Sequence, residues 1–153
     1  MTTVLDENVV YTALEGSDPH NNPDRSPWAL FAHIQLTCDR TMLTSEILGQ
    51  YYELAWSRSR IGRWGPPCQA WVDLLTRWLQ MDKVRLVILD EMPVINPESG
   101  VKDDDQSVVR VAKGTKSILV SYDERLEAGA ASNGVTLVPP TRAIPFIRPR
   151  QLP

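Results

Sequence analysis

The chain is poor in cysteine and histidine, with two of each among its 153 residues. Cys38 and Cys68 are not spaced as a metal-binding pair, and neither histidine has a partner ligand nearby, so a zinc-type centre is not expected. We expect both cysteines to be small buried residues in a reducing cytosol. The sequence also lacks a glycine-rich phosphate loop and a Ser-His-Asp arrangement. Any chemistry should therefore depend on carboxylates.

A long apolar run and an excess of positive charge are missing as well. No apolar stretch approaches the ~18 residues that cross a bilayer, and Asp6 and Glu7 come too early for a signal peptide. The net charge of −3 argues against a protein that coats nucleic acid by bulk charge, although a nuclease with an acidic site is not excluded. With 42% apolar and 23% charged residues, the chain is expected to form one cytoplasmic domain without a membrane segment.

Predicted strands and helices alternate along the sequence. Strands are predicted at 2–6, 41–44, 84–89, 117–121 and 135–138, and helices at 9–15, 28–36, 46–57, 68–79, 105–113 and 124–131. The fifth helix is predicted to end with Gly114 as its C-cap. This alternation indicates an α/β fold with three layers, in which helices cover both faces of a parallel sheet, over residues 1–142. Residues 143–153 are basic and proline-spaced, and are predicted to form an extended tail.

Acidic residues fall where ligands gather in such folds, at the carboxyl ends of strands. Asp6 closes the first strand, Asp103–Asp105 open a helix, and Asp123 closes the fourth strand. Acids brought together repel each other unless a cation neutralises them, and oxygen ligands suit Mg²⁺ or Mn²⁺. Asp6, Asp105 and Asp123 therefore suggest a metal-dependent phosphodiesterase site. The alternative is that each acid only caps the helix that follows it.

Four segments have the character of sequence motifs. In chain order they are residues 4–10 (VLDENVV), 104–112 (DDQSVVRVA), 118–126 (ILVSYDERL) and 134–140 (GVTLVPP). Together they resemble motifs of the PIN-domain family, to which the VapC-type toxin ribonucleases belong. The resemblance covers nearly the whole chain and implies a PIN-like fold with Asp6, Asp105 and Asp123 as metal ligands.

The resemblance also implies supporting roles for three neighbours of these acids. Asp104 would share the work of Asp105, Asn8 would orient Asp6 or a bound water through its amide, and Ser121 would hydrogen-bond within the site. A turn residue at the start of a helix and a hydroxyl at the end of a strand are the structural alternatives for Asn8 and Ser121.

One position departs from the family pattern, which usually places a glutamate on the helix after the second strand. When Thr44 through Leu48 are aligned with that pattern, the position holds Gln50, whose neutral oxygen would bind a metal less well. Glu46 lies one turn earlier and Glu53 three residues later, so either could substitute for the missing acid, and a shifted register makes Glu46 the direct match. We therefore predict Glu46 as a fourth catalytic acid, with Gln50 beside it.

A basic segment between two predicted helices offers contacts to RNA phosphates, with one aromatic ring that could stack on a base; a solvated loop is the alternative. These candidates are Arg58, Arg60, Arg63 and Trp64. Further along, Trp71 and Trp78 share one helix face and are expected in the core or in a dimer surface.

The resemblance implies an endoribonuclease that uses Mg²⁺ or Mn²⁺. It also implies that the protein is the toxin of a toxin–antitoxin pair, with RNA as substrate, an antitoxin protein as partner and a homodimer as its assembly. A catalytically impaired PIN-like module that binds RNA or protein is the main alternative, because Gln50 replaces the usual acid. A phosphoacceptor receiver domain fits less well, since it would need Asp90 and Lys113 as an unusual pair.

Overall fold

Five short parallel strands form one sheet in the computed structural model, which describes residues 2–59 and 65–147. The strands are β1 (Thr2–Leu5), β2 (Arg40–Leu43), β3 (Val84–Leu86), β4 (Ile118–Val120) and β5 (Leu137–Val138). Their order in the sheet is β3-β2-β1-β4-β5. The chain builds outward from β1 to β3, then returns to the other side of β1 for β4. This change of direction opens a crevice for ligands between the carboxyl ends of β1 and β4.

Helices cover the sheet, which confirms the predicted α/β class and its parallel sheet. The described residues form α1 (Glu7–Glu15), α2 (Ser26–Leu36), α3 (Ser45–Ser59), α4 (Gly65–Gln80), α5 (Gln106–Thr115), α6 (Glu124–Ser132) and α7 (Pro140–Ile147). Helices α1 to α4 pack on one another, and α5 lies across β1, β2 and β4. Because parallel crossovers are right-handed, the connections through α1–α4 and the return through α5 lie on opposite faces.

Two predicted boundaries, at the end of α5 and at the end of β3, are wrong. Gly114 does not cap α5 but lies inside it, and the helix ends with Lys116 in the left-handed conformation. A Cβ at Gly114 would lie 2.5 Å from the sulfur of Met92 and 2.8 Å from the Cδ of Pro93, so this glycine provides space for the preceding loop. The third strand ends at Leu86, three residues earlier than predicted.

The predicted tail is helical over its first five residues. Helix α7 continues to Ile147 and packs against α2, with the side chain of Ala143 fully buried. Residues 143–147 are therefore helical rather than extended; Ala143 packs in the core and Ile144 packs against it. Pro140 suits the first turn of this helix. Residues 148–153 lie outside the described part of the chain.

Aromatic rings form the centre of the core beneath α2, α3 and α4. Trp71 packs with its ring centroid 4.9 Å from that of Phe31, 5.8 Å from Tyr51 and 6.1 Å from Trp78. All four side chains are almost completely buried. The shared face of Trp71 and Trp78 is thus a core face, and the alternative of a dimer surface there is wrong.

The two cysteines differ in environment. Cys68 is buried on α4, as predicted, whereas Cys38 is exposed. The prediction for Cys38 is wrong because it lies in the short bend between α2 and β2, beyond the packed face of the helix. Among the described helices, none is long and apolar enough to cross a membrane.

Candidate active site

Asp6 lies at the carboxyl end of β1, the central strand of the sheet. Its backbone N–H donates to the carbonyl of Val120 at 2.9 Å, which ties the residue to the end of β4. Its Oδ1 accepts the backbone N–H of Glu7 at 2.7 Å, so the carboxylate also caps α1. The side chain is 9% exposed. A buried carboxylate is therefore held at the switch point of the parallel sheet, between the ends of β1 and β4.

Ser121 and Asn8 hold the second oxygen of the same carboxylate. The hydroxyl of Ser121 donates to Asp6 Oδ2 at 2.6 Å, and the amide nitrogen of Asn8 donates to that oxygen at 3.0 Å. The Asn8 amide also donates to Ser121 Oγ at 3.0 Å. The sequence predicted both residues near Asp6, and the structure brings all three together. Ser121 is 113 positions from Asn8 and 115 from Asp6 in the chain.

The same network fixes the loop after β4. Asn8 Oδ1 accepts the backbone N–H of Tyr122 at 3.1 Å, and Ser121 Oγ accepts the backbone N–H of Asp123 at 3.0 Å. Asp123 Oδ1 in turn accepts the backbone N–H of Arg125 at 3.0 Å and caps α6. The capping roles considered as alternatives are therefore present for Asp6 and Asp123, together with their convergence on one edge of the sheet.

Mutual repulsion links the three predicted ligands. Burial raises the pKa of Asp6, and the charges of Asp105 and Asp123 raise that pKa further. The hydrogen bond from Ser121 lowers it and offsets part of the increase. Burial also raises the pKa of Asp105, with added repulsion from Asp123 and Asp104. An anionic cluster of this kind is a place where a bound cation lowers the electrostatic energy.

The donor chemistry fits a hard divalent cation, although the site is not a ready-made cage. In residues 2–59 and 65–147, no three His, Cys, Asp or Glu side chains form a cluster that could already hold a metal ion. Mg²⁺ commonly takes only one or two carboxylates and keeps several waters, so a complete protein cage is not required. The oxygen ligands of Asp6, Asp105 and Asp123 suit that mode of binding.

Glu46 and Gln50 are placed on α3, which follows the neighbouring strand β2. The carboxylate of Glu46 is exposed and turned to its own helix end, where its own backbone N–H and the hydroxyl of Thr44 lower its pKa. Gln50 is exposed one turn further along α3. In the structure, Glu46 thus interacts with groups at the start of its own helix. A role for Glu46 in a metal site remains a prediction.

The predicted RNA contacts fall at the edge of the described chain. The backbone of Arg58 belongs to the last turn of α3, and the side chain lies outside the described set. Arg60, Arg63 and Trp64 lie outside the described residues altogether.

Sequence reasoning missed two tyrosines that support the site. The hydroxyl of Tyr51, on α3, donates to the carbonyl of Leu5, the last residue of β1. Burial raises the pKa of Tyr51, and the charge of Asp6 adds to the effect. The hydroxyl of Tyr122 donates to Asp24 Oδ2 at 2.5 Å and so ties the loop after β4 to the loop before α2. No local motif marks these contacts, because each partner is distant in sequence.

Removing one of the repelling charges is expected to stabilise the protein at neutral pH. A carboxyl whose pKa is raised by folding binds more protons in the folded than in the unfolded state, so stability falls as pH rises from the ordinary carboxyl range through the raised pKa. Asp105→Asn should therefore raise the Tm at pH 7 by about 1–3 °C and leave it unchanged near pH 3. Asp103→Asn, which makes the same change at the start of the same helix, is the control. An equal rise in both variants would contradict repulsion at Asp105.

Two solved structures are similar to this chain in fold. A PilT N-terminus domain protein, SSO1118, from the hyperthermophilic archaeon Sulfolobus solfataricus P2 aligns over 100% of both chains, with a TM-score of 0.54 and 12% identity. PAE2754 from Pyrobaculum aerophilum aligns over 90% of this chain and 84% of its own, with a TM-score of 0.52 and 21% identity. No protein-family model matches the chain, and no curated protein sequence matches it. At these identities the likeness concerns the fold alone, and the fold is PIN-like.

Proposed function

We propose that the protein is a metal-dependent endoribonuclease that hydrolyses RNA phosphodiester bonds. The observation that carries this proposal is the electrostatic interaction of Asp105 and Asp123 with Asp6, which lies at the switch point of the sheet: burial raises the pKa of Asp6 and of Asp105, and the charges of the neighbouring acids raise both further. Such sites bind ligands in open α/β sheets, and an anionic cluster with raised pKa values is a candidate functional site. The PIN-like fold of the two structural neighbours agrees with a nuclease.

The chain's own residues would prepare this site in a fixed geometry. Ser121 and Asn8 hold Asp6 Oδ2 from two directions, so the carboxylate cannot rotate freely. Ser121 also accepts from the backbone of Asp123, which couples the orientation of the two acids. Asp6, Asp105 and Asp123 are the residues that would hold Mg²⁺ or Mn²⁺. The chemistry supplied by the bound ion is to make a nearby water easier to deprotonate and to neutralise charge on the scissile phosphate.

The toxin role belongs to the same proposal and rests on the sequence resemblance. A toxin ribonuclease would need a protein inhibitor, and an antitoxin that covers the carboxylate edge is the partner we propose. Co-expression with the product of an adjacent gene tests this: a stable complex that inhibits cleavage supports the pairing, and a freely active enzyme in its presence contradicts it.

Two residues on α3 favour a second candidate function, binding without cleavage. Gln50 is exposed at the position where a glutamate is usual, and Glu46 has local partners at its own helix end. A PIN-like module that binds RNA or protein without cleaving it would tolerate both features. The two candidates separate on metal affinity, because a binding module has no need to hold Mn²⁺.

The test is incubation of the purified protein with end-labelled structured and unstructured RNA in Mn²⁺, Mg²⁺ or EDTA. Cleavage is expected in the presence of a divalent ion and is expected to stop in EDTA. A double variant, Asp6→Asn with Asp105→Asn, purified in parallel, controls for a contaminating nuclease. Cleavage that persists in the double variant contradicts the proposal.

Absence of cleavage in every metal would move the assignment to the binding module. Gln50→Glu then shows whether the missing acid is the cause, since it restores the family's usual ligand at that position. Gain of metal-dependent cleavage in this variant would identify the chain as an impaired nuclease, and continued inactivity would leave binding as the function.

A further inference from the structure

A cavity of about 330 Å³ adjoins the carboxylates on the side of the loop after α1. Asn8 and Asp123 of the candidate site line it, together with Pro19, His20, Tyr122, Glu124 and Arg125. Neither His20 nor Glu124 takes part in holding Asp6. The proposed function therefore leaves this space without an assignment.

The two ring-bearing residues of the lining are anchored. Tyr122 is held at its backbone, whose N–H donates to Asn8, and at its hydroxyl, which donates to Asp24. The loop that carries His20 is folded around Asp18, whose Oδ1 accepts the backbone N–H of His20 at 2.9 Å. Aromatic and imidazole faces of this kind stack on a nucleobase whatever its sequence, because every base has a π-face.

The charged part of the lining consists of two acidic residues and one basic residue. Asp123 and Arg125 face each other, with Arg125 Nε 3.8 Å from Asp123 Oδ1. Glu124, the first residue of α6, is exposed and lines the same cavity. A carboxylate can accept hydrogen bonds and donate none, so Glu124 would attract an amino group of a base. A second cavity, of about 170 Å³, shares His20 and Glu124 and continues toward Glu127 and Arg142.

We propose that this cavity is a nucleobase subsite beside the cleavage site, in which the base stacks on His20 and Tyr122 and donates an exocyclic amino hydrogen to Glu124. The subsite selects cytosine, adenine or guanine over uracil. Uracil has no amino group, and the carbonyl oxygens on both sides of its N–H repel a carboxylate. The continuation into the second cavity suits a strand of several nucleotides rather than a single small molecule. This inference rests on the proposed function, because RNA is taken as the ligand.

The binding preference can be measured without cleavage. Fluorescence anisotropy in EDTA would give the affinity of labelled poly(C), poly(A) and poly(U) RNA of about ten nucleotides for the wild-type chain. We expect poly(C) and poly(A) to bind about tenfold more tightly than poly(U), the effect of one hydrogen bond to a charged group. Glu124→Gln should reduce that preference to within about twofold to threefold, because the glutamine amide also serves uracil's carbonyls. Glu98→Gln, at an exposed acid in the loop between β3 and α5, should leave the preference unchanged.

His20 provides an independent test of stacking. His20→Ala should weaken all three RNAs by about tenfold, while His20→Phe should restore most of the affinity, because phenylalanine keeps a flat ring. If His20→Phe is as weak as His20→Ala, the imidazole binds phosphate instead and the base subsite is wrong. A wild-type chain that binds poly(U) as tightly as poly(C) also overturns it, as does a preference that Glu124→Gln leaves unchanged.

The subsite and the proposed function fail in different ways. Base-dependent binding that responds to Glu124→Gln in a chain that never cleaves RNA supports the subsite and contradicts the nuclease. Metal-dependent cleavage whose base preference is unaffected by Glu124→Gln and by His20→Ala supports the nuclease and contradicts the subsite.

Discussion

Asp6→Asn is expected to lower metal-dependent RNA cleavage at least about 100-fold, the size of effect seen when one electrostatic partner of the reacting group is removed. The asparagine is nearly the same size and can still accept the N–H of Glu7 at the start of α1. It presents an NH₂ group or a neutral oxygen where Asn8 and Ser121 now donate to a carboxylate. Both the anionic ligand and the hydrogen-bond pattern around it are therefore lost while the helix cap is kept.

Asp103→Asn is the matched control for this prediction. Asp103 is exposed and precedes α5, two residues before Asp105. We expect this variant to keep cleavage within about threefold of wild type, since it removes a nearby charge without removing a buried ligand. Initial rates at saturating Mn²⁺, with circular dichroism to verify folding, compare the two. Equal losses in both variants would mean that overall charge, rather than the ligand geometry at Asp6, controls the rate.

One half of the site can be predicted from the amino-acid sequence. Asp6, Asn8 and Ser121 group together because parallel strands end at the same edge of a sheet, and an acid that closes a strand marks that edge. The structure adds the reason for their contact: β4 pairs directly with β1, so the residues after both strands are neighbours. Strand order is a tertiary property, and alternation of strands and helices along the chain does not determine it.

The tyrosine contacts that support the site cannot be predicted from local sequence patterns. No feature of the local sequence shows that the hydroxyls of Tyr51 and Tyr122 reach Leu5 and Asp24, which are 46 and 98 positions away. The wrong prediction for Gly114 has the same cause. Gly114 has the spacing of a helix cap, and only the close approach of the preceding loop shows that it provides space. In each case the deciding contact is made by a segment distant in the chain.

Trp71→Ala is expected to cost about 3–5 kcal/mol of the free energy of unfolding, the usual range for a large aromatic side chain removed from a core. The indole lies among the rings of Phe31, Tyr51 and Trp78 and is completely buried, so its loss leaves a cavity that all three line. With total stabilities of about 5–15 kcal/mol, as is common for domains, the variant would retain a small fraction of its stability. Its Tm should fall by about 6–20 °C.

Removal of the Trp71 side chain should also affect the candidate site, because Tyr51 contacts both the aromatic core and the end of β1. Its ring packs on Trp71, the indole N–H of Trp71 donates to the Tyr51 carbonyl at 3.4 Å, and its hydroxyl holds the carbonyl of Leu5 next to Asp6. Trp56→Ala on the exposed side of α3 removes the same side chain type at 61% exposure and should cost less than about 1 kcal/mol. Urea unfolding of the two variants measures the difference. Equal, small losses would show that the packing around Trp71 does not hold α3 and α4 together, and that Tyr51 is positioned by other contacts.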